Sequence, residues 1–192
     1  RITHPNVLRT HDFGELDGIH YISMEYVRGV TLRYLLDQSQ RLPLAAGLRL
    51  GKQLCLGLSA AHVQGVLHRD IKPDNLILDP AGHAKLMDFG IARPISRTGL
   101  GLTQEGWLVG TPQYMAPEQL QGAAVDARAD LYATGVLLFE SFTGRLPFTG
   151  VTPVEVAYQH LQQAPPAPRS IWSEIPPTLE AILLRLLAKR PE

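Results

Sequence analysis

The stretch DLYATGVLLFESFT, Asp130 to Thr143, limits the fold more than any other part of the chain. Leu131, Gly135, Leu138 and Phe142 recur at roughly helical spacing, and apolar residues stand on almost every side of the helix they imply. That is the pattern of a helix enclosed by protein rather than one lying half in water. A membrane is excluded as the enclosure, because Glu140 interrupts the apolar window and the window is well short of the ~20 residues that a span needs. The chain must therefore supply its own wrapping, and 192 residues at 45% hydrophobic content are enough for one sizeable core.

Other segments read as the wrapping. Val7 to Phe13 and Ile19 to Tyr26 are strand-like runs flanking GELDG, a segment suited to a hairpin turn. From Pro43, the residues Leu44, Leu48, Cys55, Leu58 and Ala61 predict a helix to about Gln64, with Gly65 able to end it. NLILD and HAKLMD are short β segments separated by the turn PAG. After Asp88 a stretch of Gly, Ser, Thr and Arg shows neither period and reads as a long loop. Val154 to Gln163 and Thr178 to Lys189 predict two more helices, joined by APPAPRSIWSEIPP. The Ile and Trp in that linker favour a packed connection over a free polyproline segment.

Charge and cysteine narrow the partners. Formal net charge is zero, so no general attraction to nucleic acid or to an anionic membrane is expected. Cys55 is the single cysteine, which rules out an internal disulfide framework and fits a reducing, cytoplasmic setting. The sequence begins at Arg1 with no methionine or leader pattern, and its start reads as a cut.

Two cations, two carboxylates, an amide and a proline are packed into HRDIKPDN, residues 68 to 75, in a loop between a helix and a strand where ligands can approach. Asp70 could accept a proton from an attacking hydroxyl, Lys72 could neutralise a phosphoryl group, and Asn75 could offer an oxygen to a metal. Farther on, DFG adds a second carboxylate, Asp88, beside a glycine that lets backbone come close. Two oxygen ligands and a lysine describe a magnesium-phosphate site.

With HPNV, YISMEYVRGVTL, KLMDFGIAR, GTPQYMAPEQ, DLYATGVLLFESFTGRLPF and LLAKRPE in the same order along the whole chain, the sequence resembles the eukaryotic-type protein kinase superfamily and, within it, the bacterial Ser/Thr kinases. The resemblance implies an α+β, protein-kinase-like fold and transfer of the γ-phosphoryl of ATP, with Mg2+, to Ser/Thr hydroxyls of protein substrates in signalling. It assigns Asp70 to the substrate hydroxyl, Lys72 to the γ-phosphoryl, Asn75 and Asp88 to Mg2+, and Thr111 to hydrogen bonds with Asp70 and Lys72. It makes Met24 a gatekeeper, turns the backbones of Glu25 and Val27 toward adenine, and puts Thr31 near the ribose and Ile77 beneath the adenine ring. His68 and Phe89 would stack in an internal spine, and Asp130 would accept backbone hydrogen bonds from the catalytic loop.

The resemblance also frames what lies outside the sequence. The family's Gly-rich loop, ATP-anchoring lysine and helix glutamate would precede HPNV. Residues 1–192 therefore read as a partial kinase domain: an N-lobe remnant and hinge over 1–27, and a mainly helical C-lobe over 28–192 that stops before its final helix. Alone, this segment is expected to be inactive, and it carries no membrane contact, whereas a full-length protein could hold a transmembrane segment elsewhere. A scaffold-like pseudokinase and a small-molecule phosphotransferase are the rival classes; the intact Asp70, Lys72, Asn75 and Asp88 oppose the first, DFG and GTPQYMAPE the second. Arg69 and Arg93 are implied phosphate ligands for a phosphorylated activation loop. Thr103 is the expected phosphosite, which a kinase–kinase dimer would serve in autophosphorylation, while Glu105 stands where relatives often have a second threonine.

Overall fold

The computed structural model describes residues 2–89 and 112–190. Its centre is the enclosed helix foreseen above, α4 in chain order, spanning Ala127–Thr143. The Asp126 side chain caps its start by accepting the Arg128 N–H, and Gly144 ends it in the left-handed conformation, its N–H returned to the Glu140 carbonyl at 2.7 Å. Every residue from Tyr132 to Thr143 is buried. Gly135 is obligatory in this packing: a Cβ there would stand 2.6 Å from the Cβ of Leu186.

Before α4 come α1 (Leu32–Ser39), α2 (Leu44–His62) and the one-turn α3 (Pro117–Leu120). After it come α5 (Pro153–Gln162), the one-turn α6 (Pro168–Ile171) and α7 (Pro177–Leu186). Helix α2 turns Leu50, Leu54, Leu58 and Ala61 into the core at intervals of three and four residues, and Gly65 follows its end at φ 72°. The proline-rich connection is packed as expected: Ile175 is buried and the Arg41 guanidinium lies 4.3 Å from the Trp172 ring centre. Helices α1, α3 and α6 were not foreseen, being too short to show a period.

Strands β1 (Thr10–Leu16) and β2 (Ile19–Met24) form an antiparallel hairpin. Its turn is tighter than the sequence reading: only Asp17 and Gly18 lie outside the strands, at φ 54° and 78°, the two positive values of a type I′ turn. Gly14, Glu15 and Leu16 of the expected turn belong to β1. Val7, expected to open that strand, instead makes a single parallel bridge to Leu86, flanked by Leu8 N–H to Leu86 O and Leu86 N–H to Asn6 O, both 2.9 Å. A second sheet has the order β3 (Val30–Thr31), β4 (Leu76–Leu78), β5 (Ala84–Leu86), antiparallel throughout.

Candidate active site

The catalytic-loop candidates stand on a buried carboxylate. Asp130, in the first turn of α4 and 1% exposed, accepts the His68 N–H at 2.9 Å and the Arg69 N–H at 2.8 Å, and lies 2.7 Å from His62 Nε2. These are the backbone bonds anticipated for it, and they satisfy a charge that would otherwise be costly to bury. Arg69 then adopts φ 66°, a conformation that a non-glycine residue holds only when its surroundings enforce it.

Asp70 follows, its side chain 58% exposed. Lys72 Nζ donates to its Oδ2 at 2.8 Å. Asn75 Nδ2 donates to the Asp70 carbonyl at 2.7 Å and to Oδ2 at 3.1 Å. Asn75 can reach back because Pro73–Asn75 forms a 3-10 turn directly after the extended Lys72. The three residues singled out in sequence are thus one hydrogen-bonded group. The same turn sets the position of Asp88: Met87 N–H donates to the Asn75 carbonyl at 3.0 Å, and His68 Nε2 lies 2.8 Å from the Met87 carbonyl. Asp88 itself has φ 63°.

His68 is a core residue, 2% exposed, with its ring edge-on to Phe89 at 4.7 Å. Burial lowers its pKa. The neutral ring carries its proton on Nε2 toward Met87 O, leaving Nδ1 to accept the Asp70 N–H at 3.2 Å.

The residues that the resemblance assigns to the nucleotide lie on β2, β3, β4 and the segment between β2 and β3. Thr31 and Ile77 face each other across β3 and β4, and the Thr31 hydroxyl accepts the Tyr34 N–H at 3.2 Å to cap α1. Met24, with Val7, Leu8, Asp88 and Phe89, lines a cavity of about 300 Å³. Glu25 is fixed by its side chain, which takes Lys85 Nζ at 2.6 Å and the Arg9 N–H at 3.0 Å. Burial opposes the Glu25 charge, but these bonds hold its carboxyl below the ordinary range. Val27 is half-buried between Met24 and β3 in the chain. Arg93, Thr103, Glu105 and Thr111 lie outside the described residues.

Sequence reasoning passed over one network beside the cleft. Glu140, noted only as an interruption of the apolar run, accepts the Tyr114 hydroxyl at 2.5 Å and Arg33 Nη1 at 2.9 Å, while Arg33 Nη2 reaches the Tyr114 oxygen at 2.7 Å. Burial and the neighbouring Glu140 push the Tyr114 pKa far up, so its hydroxyl stays a donor. The group ties α1 to α4 and to the 3-10 turn Pro112–Tyr114. Nothing local marks it: the ion pair joins residues 107 positions apart.

A helical body built on a buried helix carries a loop whose aspartate, lysine and asparagine form one bonded group, with a second aspartate directly after Met87, whose N–H the asparagine carbonyl holds. The chain matches the protein kinase domain family over residues 1–192, and it belongs to that family. It is 45% identical over its whole length to the probable serine/threonine-protein kinase SCO3848 of Streptomyces coelicolor, covering 29% of that protein. It is 43% identical to PksC of the same organism and 40% identical to the serine/threonine-protein kinase PknB of Mycolicibacterium smegmatis, covering 36% and 31% of them. The chain thus spans about a third of the length of these relatives.

Proposed function

We propose that the protein transfers the γ-phosphoryl group of ATP to serine or threonine hydroxyls of protein substrates, with Asp70 as the group that receives the hydroxyl proton. The observation that carries this reading is the Asp70 carboxylate. Its Oδ2 is engaged by Lys72 and Asn75, and its Oδ1, without a partner among the described residues, is assigned to the acceptor hydroxyl. Lys72 sits within a hydrogen bond of the proton acceptor and offers positive charge to the transferring phosphoryl as it develops negative charge.

Asn75 and Asp88 suit Mg2+. The Asn75 amide nitrogen is spent on Asp70, which leaves its side-chain oxygen, and the Asp88 carboxylate has no hydrogen-bond or ion-pair partner among the described residues. Magnesium, when bound, neutralises and orients the phosphate oxygens. We assign Thr111 to hydrogen bonds with Asp70 and Lys72, the Glu25 and Val27 backbones to adenine, Met24 and Ile77 to the walls of its pocket, and Thr31 to the ribose edge. The likeness to bacterial serine/threonine kinases supports these assignments, and the reading sets the domain in the cytoplasm, where ATP is available. Among the described residues no helix is long and apolar enough to cross a membrane.

In the full-length protein, Asp70→Asn should lower kcat by about 10²- to 10⁴-fold with ATP binding retained, the loss expected of a positioned base. A drop of less than about tenfold would count against the assignment. Asp88→Asn should weaken Mg-ATP binding as well. We further propose that Thr103 is autophosphorylated between two kinase molecules and then held by Arg69 and Arg93, its phosphate adding about −1.5 to −2 charges. Thr103→Ala should then slow the enzyme more than Ser96→Ala or Thr98→Ala, and phosphopeptide mapping of active enzyme should find Thr103 modified.

A further inference from the structure

The peptide unit that joins Arg69 to Asp70 is held at both edges. Its N–H donates to His68 Nδ1 at 3.2 Å, and its carbonyl accepts Gln119 Nε2 at 3.1 Å. One unit earlier, the Arg69 N–H is fixed to Asp130 Oδ1 at 2.8 Å. A peptide unit is planar, so pinning its two edges fixes the direction in which the Asp70 side chain leaves the loop. The pin is needed because Arg69 is left-handed, and its carbonyl would swing if the residue relaxed to an ordinary φ.

His68 belongs to the loop itself and Asp130 to the core helix, whereas Gln119 comes from α3, 50 positions along the chain from Arg69. Its amide is used at both ends. While Nε2 holds Arg69, Oε1 accepts the N–H of Ala116, the residue that opens α3, at 2.9 Å. Ala116 adjoins Met115, whose N–H returns to Pro112 in the 3-10 turn Pro112–Tyr114. One side chain therefore joins the segment carrying that turn to the backbone of the proposed base. Glutamine fits because the position needs a donor and an acceptor together: glutamate can only accept, and leucine does neither.

We propose that Gln119 is a positioning residue for phosphoryl transfer, aiming Asp70 by holding the carbonyl of the strained Arg69. This rests on the reading of Asp70 as the proton acceptor. The test compares Gln119→Glu with Gln119→Leu in the full-length protein. Gln119→Glu keeps the bond to Ala116 and loses the one to Arg69, so its thermal midpoint should fall by less than that of Gln119→Leu while its kcat falls by about tenfold at nearly unchanged KM for ATP. Gln119→Leu should lose both bonds, with a comparable fall in kcat and a lower midpoint. A second readout needs no turnover: without nucleotide, the Asp70 amide should exchange with solvent faster in Gln119→Glu than in wild type. A Gln119→Glu protein with kcat within about twofold of wild type would overturn the proposal. Unchanged Asp70 exchange would overturn it even if the wild-type protein transferred no phosphate, an outcome that would separately end the reading of Asp70.

Discussion

Helix α4 and the β1–β2 hairpin are both rich in large apolar side chains, yet their fates are opposite. Phe139 and Phe142 of α4 are 0% and 1% exposed, while Phe13, Leu16 and Ile19 of the hairpin stand at 67%, 67% and 71%. The hairpin pairs with itself through the Asp17–Gly18 turn, each strand the other's partner across the register. Around α4 close α2 and α7, each from a distant part of the sequence, and the nearer Pro112–Tyr114 turn. An apolar residue contributes what closes over it, and within residues 1–192 it is α4, of these two, that is closed over.

Variants that open α4 should show the largest effects. Phe139→Ala, at a side chain with no exposed surface, should cost about 3–5 kcal/mol in chemical denaturation. A loss below about 1 kcal/mol would mean that the body collapses around the gap. Acid should find the same region next. His160 of α5 is fully buried against Tyr132 of α4, and burial, with the nearby Lys189 charge, lowers its pKa to about 4. The unfolded chain takes up this proton near pH 6.5 and the folded one only near pH 4. Stability is therefore complete above about pH 6.5 and declines by about 3 kcal/mol as pH falls toward 4. His160→Phe should flatten that part of the pH–stability curve.

Arg33→Leu probes the polar side of α4. It strands Glu140, which is 7% exposed, and should cost about 2 kcal/mol, the buried-pair penalty discounted because Arg33 is partly in water. Arg33→Leu combined with Glu140→Leu should recover part of that loss. At the other pole, Leu16→Ser in the hairpin should shift stability by no more than about 0.5 kcal/mol. A larger shift, measured in the same denaturation series, would show that the hairpin is covered in solution and would erase the comparison.

How much of this could be read beforehand depended on range. Both helices were legible to within a few residues in extent, but of the residues that marked α2, Leu48 and Cys55 lie on its exposed side, and Leu50 and Leu54 face the core with Leu58 and Ala61. The loop from His68 to Asn75 was legible because its chemistry is packed into one octapeptide, and Asp130 could be given its backbone bonds through family resemblance. The hairpin turn was misjudged by three residues: Gly14 looked like turn material, whereas in β1 it faces the Tyr21 ring so closely that a Cβ would meet the hydroxyl at 2.6 Å. The Arg33–Tyr114–Glu140 group and the Gln119 bridge left no trace in the sequence, because each depends on residues brought together only by the fold.

The separation of Arg33 from Glu140 also has a meaning in time. During synthesis at about 5–20 residues per second, the ribosome adds Glu140 about 5–20 s after Arg33. The hairpin can close within microseconds of its own emergence. Arg33 of α1 must wait, its guanidinium in water, until Glu140 of α4 has been made. The nascent chain thus passes through an interval in which α1 lacks its ion-pair partner, an interval in which a chaperone would find it incompletely held.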